Sequence, residues 1–158
     1  MPTNEISIIG LGWPGWPLAK QLVAEGYQVT GTVTTTAKQQ QLMVEEPAVK
    51  VLCWQAEEQL PSSLCAPVMI ITIPPGKLRN YCAALQTLIS QARQGGVSHL
   101  IYISSTSVYG GTGRCDESSP LMPETAQAAT LIQVEQLVQD AGFPCWHILR
   151  PSGLFGPG

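Results

Sequence analysis

Three glycines near the amino terminus constrain this chain more than any other feature, in the run Gly10-Leu11-Gly12-Trp13-Pro14-Gly15. A β-branched segment at 5–9 precedes them and predicts a buried strand, and a helical pattern over 14–25 follows them. Glycines at this spacing allow a tight turn, let a pyrophosphate approach the backbone, and let helix and strand pack closely. The start of the helix then offers free N–H groups to phosphate. The loop therefore predicts binding of a nicotinamide dinucleotide, with an ordinary glycine-rich turn as the alternative.

Strand-like and helix-like segments alternate along the rest of the chain. Strands are predicted at 5–9, 27–33, 49–54, 68–73, 100–103 and 146–149, and helices at 14–25, 35–44, 78–94 and 125–141. This alternation predicts a Rossmann fold, an α/β doubly wound parallel sheet with strand order 3-2-1-4-5-6. Because ligands of such sheets bind beyond the carboxyl ends of the strands, we expect Pro74 and Pro75, which end the fourth strand, to contact the cofactor.

Composition limits the partners and the location of the protein. The chain has 158 residues, which fits one domain, and a net charge of −3 with no run of Lys or Arg, so we expect no nucleic-acid partner. No stretch approaches the roughly 20 apolar residues of a membrane span, so we also expect no membrane partner. Five cysteines without a Cys-x-x-Cys pair indicate reduced thiols in the cytoplasm and no metal site. His99 and His147 lie in strand-like segments and are interpreted as structural.

Hydroxyl groups and one cation follow the second strand, at Thr34, Thr35, Thr36 and Lys38. A cofactor with a free ribose 2′-OH is usually held by Asp or Glu about 20 residues after the glycine loop, and this segment contains neither. Hydroxyls and Lys can donate to a 2′-phosphate, whereas a carboxylate would repel it. The pattern favours NADP over NAD, the alternative being a threonine-rich strand end with Lys38 in solvent.

Two tryptophans, Trp13 and Trp16, flank the third glycine of the loop. The pattern favours both as a cover over the top of the core. Shielding of the pyrophosphate by Trp13 is the alternative, and it keeps Trp13 among the candidate cofactor-binding residues.

Two further segments complete the pattern. The fifth strand runs into Ser104-Ser105-Thr106-Ser107-Val108-Tyr109-Gly110, and the chain ends in Arg150-Pro151-Ser152-Gly153-Leu154-Phe155-Gly156-Pro157-Gly158. Together with the glycine loop, these segments resemble the NAD-dependent epimerase/dehydratase family, within the extended and atypical short-chain dehydrogenases/reductases. The start of the chain, 9–18, also resembles the β-hydroxyacid dehydrogenases, and the serine-rich segment decides for the epimerase-like family.

The resemblance implies a role for each of these segments. It makes Ser105 the catalytic serine, which hydrogen-bonds the reacting oxygen of a small-molecule substrate. It places Arg150 and Pro151 against the nicotinamide end of the cofactor, and we count Ser104 with the cofactor-binding residues. It also implies that a homodimer can form through the predicted helices 78–94 and 125–141.

The sequence departs from the family pattern at two points. The family carries a catalytic Tyr-x-x-x-Lys pair, and Glu135 matches a glutamate that often follows this pair in the same helix. Counting back from Glu135 by one and two helical turns puts Leu131 and Gln127 at the positions of the Lys and the Tyr. Neither side chain can do general acid–base work. The chain also stops where the family continues into a C-terminal substrate-binding lobe, so we expect that lobe to be absent from 1–158. Two functions stay open: an NADP-linked oxidoreductase or epimerase-like enzyme in full-length form, and a non-catalytic dinucleotide sensor or scaffold.

Overall fold

The computed structural model describes residues 3–111 and 113–156. Its strands are β1 (Glu5–Ile9), β2 (Gln28–Val33), β3 (Lys50–Cys53), β4 (Val68–Ile71), β5 (His99–Ile103) and β6 (Cys145–Leu149). They form one sheet in the order β3-β2-β1-β4-β5-β6, and every neighbouring pair is parallel. The predicted Rossmann-type fold and strand order are therefore confirmed. Pro157 and Gly158, the last residues of the terminal motif, lie outside the described residues.

Four helices cover the two faces of the sheet: α1 (Gly15–Ala24), α2 (Thr36–Glu45), α3 (Tyr81–Gln94) and α4 (Ala126–Asp140). The third begins three residues later than predicted because Asn80 caps it, accepting a hydrogen bond from the Ala83 N–H at 3.3 Å. Leu78 consequently lies in the loop before the helix. Two short 3₁₀ helices, Ser62–Leu64 and Thr106–Tyr109, were not predicted. Within the described ranges, no helix is long and apolar enough to cross a membrane.

Alternating residues of the strands point into two separate cores. Leu100 and Tyr102 of β5 are fully buried in the core that includes residues of α3 and α4. Ile101 and Ile103 point to the opposite face, where they pack at the margin of the core that contains residues of α1. On that second face β6 is exposed, and the outward residues beside β5 are Cys145, His147 and Leu149. The first core therefore extends under the whole sheet, whereas the second stops short of its β6 edge.

Candidate cofactor-binding cleft

A cleft of about 1140 Å³ lies at the carboxyl ends of the strands. It spans the glycine loop after β1, the ends of β2 and β3, and the loops after β4, β5 and β6. The predicted site residues that line it are Gly10, Gly12, Trp13, Thr34, Lys38, Pro74, Pro75, Ser104, Ser105 and Pro151. This is the position in which open parallel sheets bind their ligands.

Packing within the chain accounts for two of the three loop glycines. Gly10 has φ of +110°, and its N–H donates to Thr32 Oγ1 at 2.9 Å. A Cβ atom at Gly10 would lie 2.6 Å from Thr72 Oγ1. A Cβ atom at Gly15 would collide with the carbonyl oxygen of Gly10. Both positions therefore require glycine because the strand, the turn and the first turn of α1 approach one another so closely.

Nothing in the fold accounts for the second glycine of the loop. A Cβ atom at Gly12 would meet nothing within 4 Å, and Gly12 does not adopt the left-handed backbone. Within the part of the chain that the structure describes, the N–H groups of Gly12 and Trp13 have no hydrogen-bond acceptor. The loop thus leaves open space and free donors beside the start of α1, and a pyrophosphate group fits both features.

The structure separates the two tryptophans of the loop. Trp16 belongs to the first turn of α1, is 9% exposed, packs in the core, and donates from Nε1 to Glu45 Oε1 at 2.9 Å. Trp13 is 44% exposed and forms part of the cleft wall. The expected cover over the core is thus formed by Trp16, whereas Trp13 faces the space that a ligand would occupy.

The residues after β2 divide between the cleft and the helix that follows. Thr34 and Lys38 line the cleft. Thr35 caps α2, because its Oγ1 accepts a hydrogen bond from the Lys38 N–H at 3.2 Å, and Thr36 is the exposed first residue of that helix. A second lysine, Lys77, also lines the cleft, and no Asp or Glu does so among the described residues. The cleft therefore offers cations and hydroxyl groups to an anion.

A buried ion pair lies behind the cleft, between α4 and the end of β6. Glu135 is 1% exposed and accepts two hydrogen bonds from the Arg150 guanidinium, at 3.0 and 2.6 Å. Arg150 also donates to Tyr109 Oη at 2.9 Å, and Ser104 Oγ donates to Glu135 Oε1 at 2.6 Å. The Glu135 carboxylate raises the pKa of Arg150. Arg150 does not line the cleft, so its observed role is to attach the loop after β6 to α4.

Ser105 lines the same cleft as the two positions that match the missing catalytic pair. Its Oγ accepts a hydrogen bond from the Ser107 N–H at 3.1 Å, which starts the short helix Thr106–Tyr109. Gln127 and Leu131 line the same cleft. The amide of Gln127 can only exchange hydrogen bonds, and Leu131 carries no polar atom. The cleft therefore holds a hydroxyl donor without the ionisable partners of the family pattern.

One carboxylate lines a cavity together with this serine. Glu124 and Ser105 both line a side cavity of about 390 Å³, and Glu124 Oε1 accepts a hydrogen bond from the Gly111 N–H at 2.8 Å. Asp116 instead accepts hydrogen bonds from Ser118, which lower the pKa of its carboxyl group in an exposed loop. Of these two acids, Glu124 is the one that shares a cavity with Ser105.

Sequence reasoning did not identify several residues of the cleft. The Thr72 hydroxyl donates to the carbonyl oxygens of Ile9 and Gly10, so it fixes the turn that carries the glycine loop. Gln55 donates to the Thr34 carbonyl oxygen at 2.6 Å. These contacts join neighbouring strands, and a motif read along one segment contains no signal for them. Lys77 is different, because it follows the end of β4 by a few residues. Its position after a strand could have identified it from the sequence as a residue of the cleft.

The family comparison agrees with this geometry. The model described as the NAD binding domain of 6-phosphogluconate dehydrogenase matches residues 5–119. That family is not the epimerase/dehydratase family suggested by the serine-rich segment. The matched residues include the glycine loop and extend through β5.

Individual proteins similar to this chain are longer than it is. Protein YeeZ of Escherichia coli strain K12 is 34% identical over 170 aligned positions, which cover 98% of this chain and 60% of that protein. A UDP-glucuronic acid 4-epimerase from Bacillus cereus, solved in complex with NAD, superposes with a TM-score of 0.82 at 21% identity, over 97% of this chain and 58% of the epimerase. A functionally unknown conserved protein from Silicibacter pomeroyi has a TM-score of 0.77 at 26% identity, with coverages of 99% and 56%. The chain thus spans about 60% of the length of the curated relatives it matches.

Proposed function

The chain belongs to the family described as the NAD binding domain of 6-phosphogluconate dehydrogenase, and from this premise we propose that its cleft binds NADP in preference to NAD. The observation that carries the proposal is the second loop glycine. Gly12 is required neither by packing nor by backbone conformation, and it borders free N–H donors at the start of α1. A pyrophosphate is the ligand that explains both the missing side chain and the free donors.

The preference for NADP rests on the wall after β2. Lys38 and Thr34 line the cleft there, and no carboxylate among the described lining residues is available to accept a ribose 2′-OH. A charge-assisted hydrogen bond to a phosphate is worth roughly 1.5–3 kcal/mol. We therefore expect NADP to bind about tenfold to a hundredfold more tightly than NAD.

For the whole protein we propose an oxidoreductase or epimerase-like reaction of the kind that the sequence resemblance implies. The nicotinamide ring would supply the acceptance and return of a hydride when the cofactor is bound. Ser105 would hold the reacting oxygen of the substrate through its hydroxyl, and Glu124, in the adjoining cavity, would exchange the proton. Gln127 can orient the substrate by hydrogen bonding.

A second candidate function is a dinucleotide sensor or scaffold without turnover. Gln127 and Leu131 favour it, because they line the cleft at the positions that match the Tyr and Lys of the epimerase-like pattern, in which the Tyr transfers the proton. General acid–base catalysis typically contributes 10²–10⁴-fold to a rate, so its loss would leave a binding site with little activity. Both candidate functions require the same cofactor cleft.

Calorimetry with NADP⁺ and NAD⁺ tests the cofactor assignment. Lys38→Gln should remove most of the preference for NADP and leave the affinity for NAD unchanged. Lys50→Gln is the matched control, since Lys50 is exposed on β3 and does not line the cleft. Equal dissociation constants for the two cofactors in the unaltered chain would refute the preference, and absence of binding to either would refute the site.

Two activity assays separate the two functions. NADPH oxidation is followed by absorbance with a panel of aldehydes and ketones, and epimerisation of sugars, which causes no net NADPH oxidation, is followed by NMR, in the wild type and in the Ser105→Ala and Glu124→Gln variants. Turnover that falls in both variants while NADPH affinity holds supports the enzyme. Bound cofactor with no turnover in the full-length protein supports the sensor.

A further inference from the structure

Three side chains that can bind metals meet on the exposed face of the sheet edge, away from the cleft. They are His99 at the start of β5, and Cys145 and His147 on β6. Their ligand atoms all lie within 4.8 Å of one another, and His99 Nε2 is 2.8 Å from His147 Nδ1. His99 and Cys145 begin their strands, whereas the cleft lies where the strands end, so this cluster is separate from the cofactor site.

Strand pairing explains why these side chains converge. His99 and Cys145 are direct partners in the parallel register of β5 and β6. His147 follows Cys145 by two residues and therefore points to the same face of the sheet. Neighbouring strands lie about 4.8 Å apart and successive residues rise about 3.3 Å, so the three Cβ atoms form a triangle that two imidazoles and a thiol can close around one ion.

We propose that His99, Cys145 and His147 form a zinc site, with Nε2 of His99, Sγ of Cys145 and Nδ1 of His147 as ligands and a solvent molecule in the fourth position. Zn²⁺ prefers tetrahedral sets of imidazole nitrogen and thiolate sulfur, at distances of about 2.0–2.3 Å. Hard cations such as Mg²⁺ and Ca²⁺ prefer oxygen ligands, which this cluster does not supply. Binding displaces the thiol proton of Cys145 into solvent and changes no oxidation state.

The ion would connect the edge strand to its neighbour. β6 pairs only with β5 among the described strands, and most of its residues are exposed. A ligand that binds only the folded chain raises its stability in proportion to the logarithm of ligand concentration. Zinc should therefore raise the melting temperature of the chain, and the gain should depend on Cys145.

The chain offers an unusually direct test, because His99 and His147 are its only histidines. The protein, freed of any affinity tag and reduced, is titrated with Zn²⁺ in competition with a chromophoric chelator, and with Co²⁺ by absorbance. We expect one equivalent of metal and a thiolate-to-cobalt charge-transfer band. Removal of an outer partner of a metal ligand already weakens binding 10–100-fold, so Cys145→Ser and His147→Gln should each weaken zinc binding by at least about tenfold.

Cys53→Ser is the matched control, since Cys53 is an exposed thiol on β3 at the opposite edge of the sheet. It should bind zinc as the wild type does, and NADP affinity should be the same in all these variants. The proposal fails if the wild type binds no zinc. It also fails if Cys145→Ser and His147→Gln, each folded by circular dichroism, bind as tightly as the wild type, or if Cys53→Ser loses affinity equally.

Discussion

Substitution of the loop glycines one at a time separates packing from ligand binding. Gly12→Ala adds a methyl group that meets nothing within 4 Å, at a residue outside the left-handed region. Such a change restricts the unfolded chain without straining the folded one, and it raises the free energy of unfolding by about 0.4–1 kcal/mol. Gly15→Ala drives the same methyl group into the Gly10 carbonyl oxygen. Overpacking of this kind costs about 1–3 kcal/mol.

Gly15→Ala is the more damaging substitution for stability, whereas Gly12→Ala is the more damaging one for cofactor affinity. The new methyl group of Gly12→Ala occupies the open side of the loop, next to the free N–H groups of Gly12 and Trp13. Loss of two charge-assisted hydrogen bonds, each worth about 1.5–3 kcal/mol, removes at least about 3 kcal/mol of binding. The dissociation constant of NADP should then rise by roughly a hundredfold or more.

Urea denaturation and calorimetry on the same preparations measure both effects. We expect Gly12→Ala to be at least as stable as the wild type and defective in binding, and Gly15→Ala to be clearly less stable. Gly12→Val, which places more bulk in the same space, should bind still more weakly. The reasoning is refuted if Gly12→Ala binds NADP as the wild type does, or if it is destabilised as much as Gly15→Ala.

Three further predictions concern stability. Thr35→Ala removes the cap of α2 and should lower the free energy of unfolding by about 1 kcal/mol in urea denaturation; an unchanged midpoint would contradict the capping role. Arg150→Leu leaves the buried Glu135 carboxylate without its ion pair and should cost about 3–5 kcal/mol, most of which Glu135→Leu in the same chain should restore. Burial raises the pKa of Tyr81 from 10.0 to about 12, so its stabilising contribution is intact below pH 10 and is lost as the pH rises through 12. As the pH rises from about 9 to 12, the melting temperature should fall less steeply for Tyr81→Phe than for the wild type. An equal pH dependence of the two melting temperatures would count against this assignment.

Much of the architecture follows from periodicity, while the element boundaries depend on local contacts. Short apolar runs, separated by helical patterns, predicted every strand. A parallel sheet covered by helices on both faces needs continuous apolar runs such as 68–71. The start of α3 was misplaced because apolar residues continue the helical pattern back to Leu78, whereas Asn80 supplies the cap. Periodicity detects a buried face, and a capping side chain decides where the helix begins.

Prediction of the cleft was limited by contacts between distant segments. The spacing of the glycines identifies the loop, since the requirement lies within one segment. Thr72 contacts that loop only because β4 pairs with β1, and Arg150 meets Glu135 only because α4 packs beside the end of β6. The same reason hid the cluster at the sheet edge, because His99 is more than forty residues from Cys145 and His147 in sequence and becomes their neighbour through the register of β5 and β6.

The central position of β1 also has a consequence for how the chain folds. β1 pairs with β2 across a short connection, with Ile6 opposite Val29, and with β4 across a longer one, with Ile6 opposite Val68. Closing the longer loop costs only about 0.6 kcal/mol more for each doubling of length, but non-local pairing is the slower event. The half formed by β1, β2 and β3 can therefore assemble first during synthesis. The half formed by β4, β5 and β6 then joins it through the pairing of β1 with β4. The cleft lies across this junction, so a bound dinucleotide would contact both halves and stabilise their association. The amide hydrogens of β4 should therefore gain the most protection against solvent exchange when the dinucleotide binds.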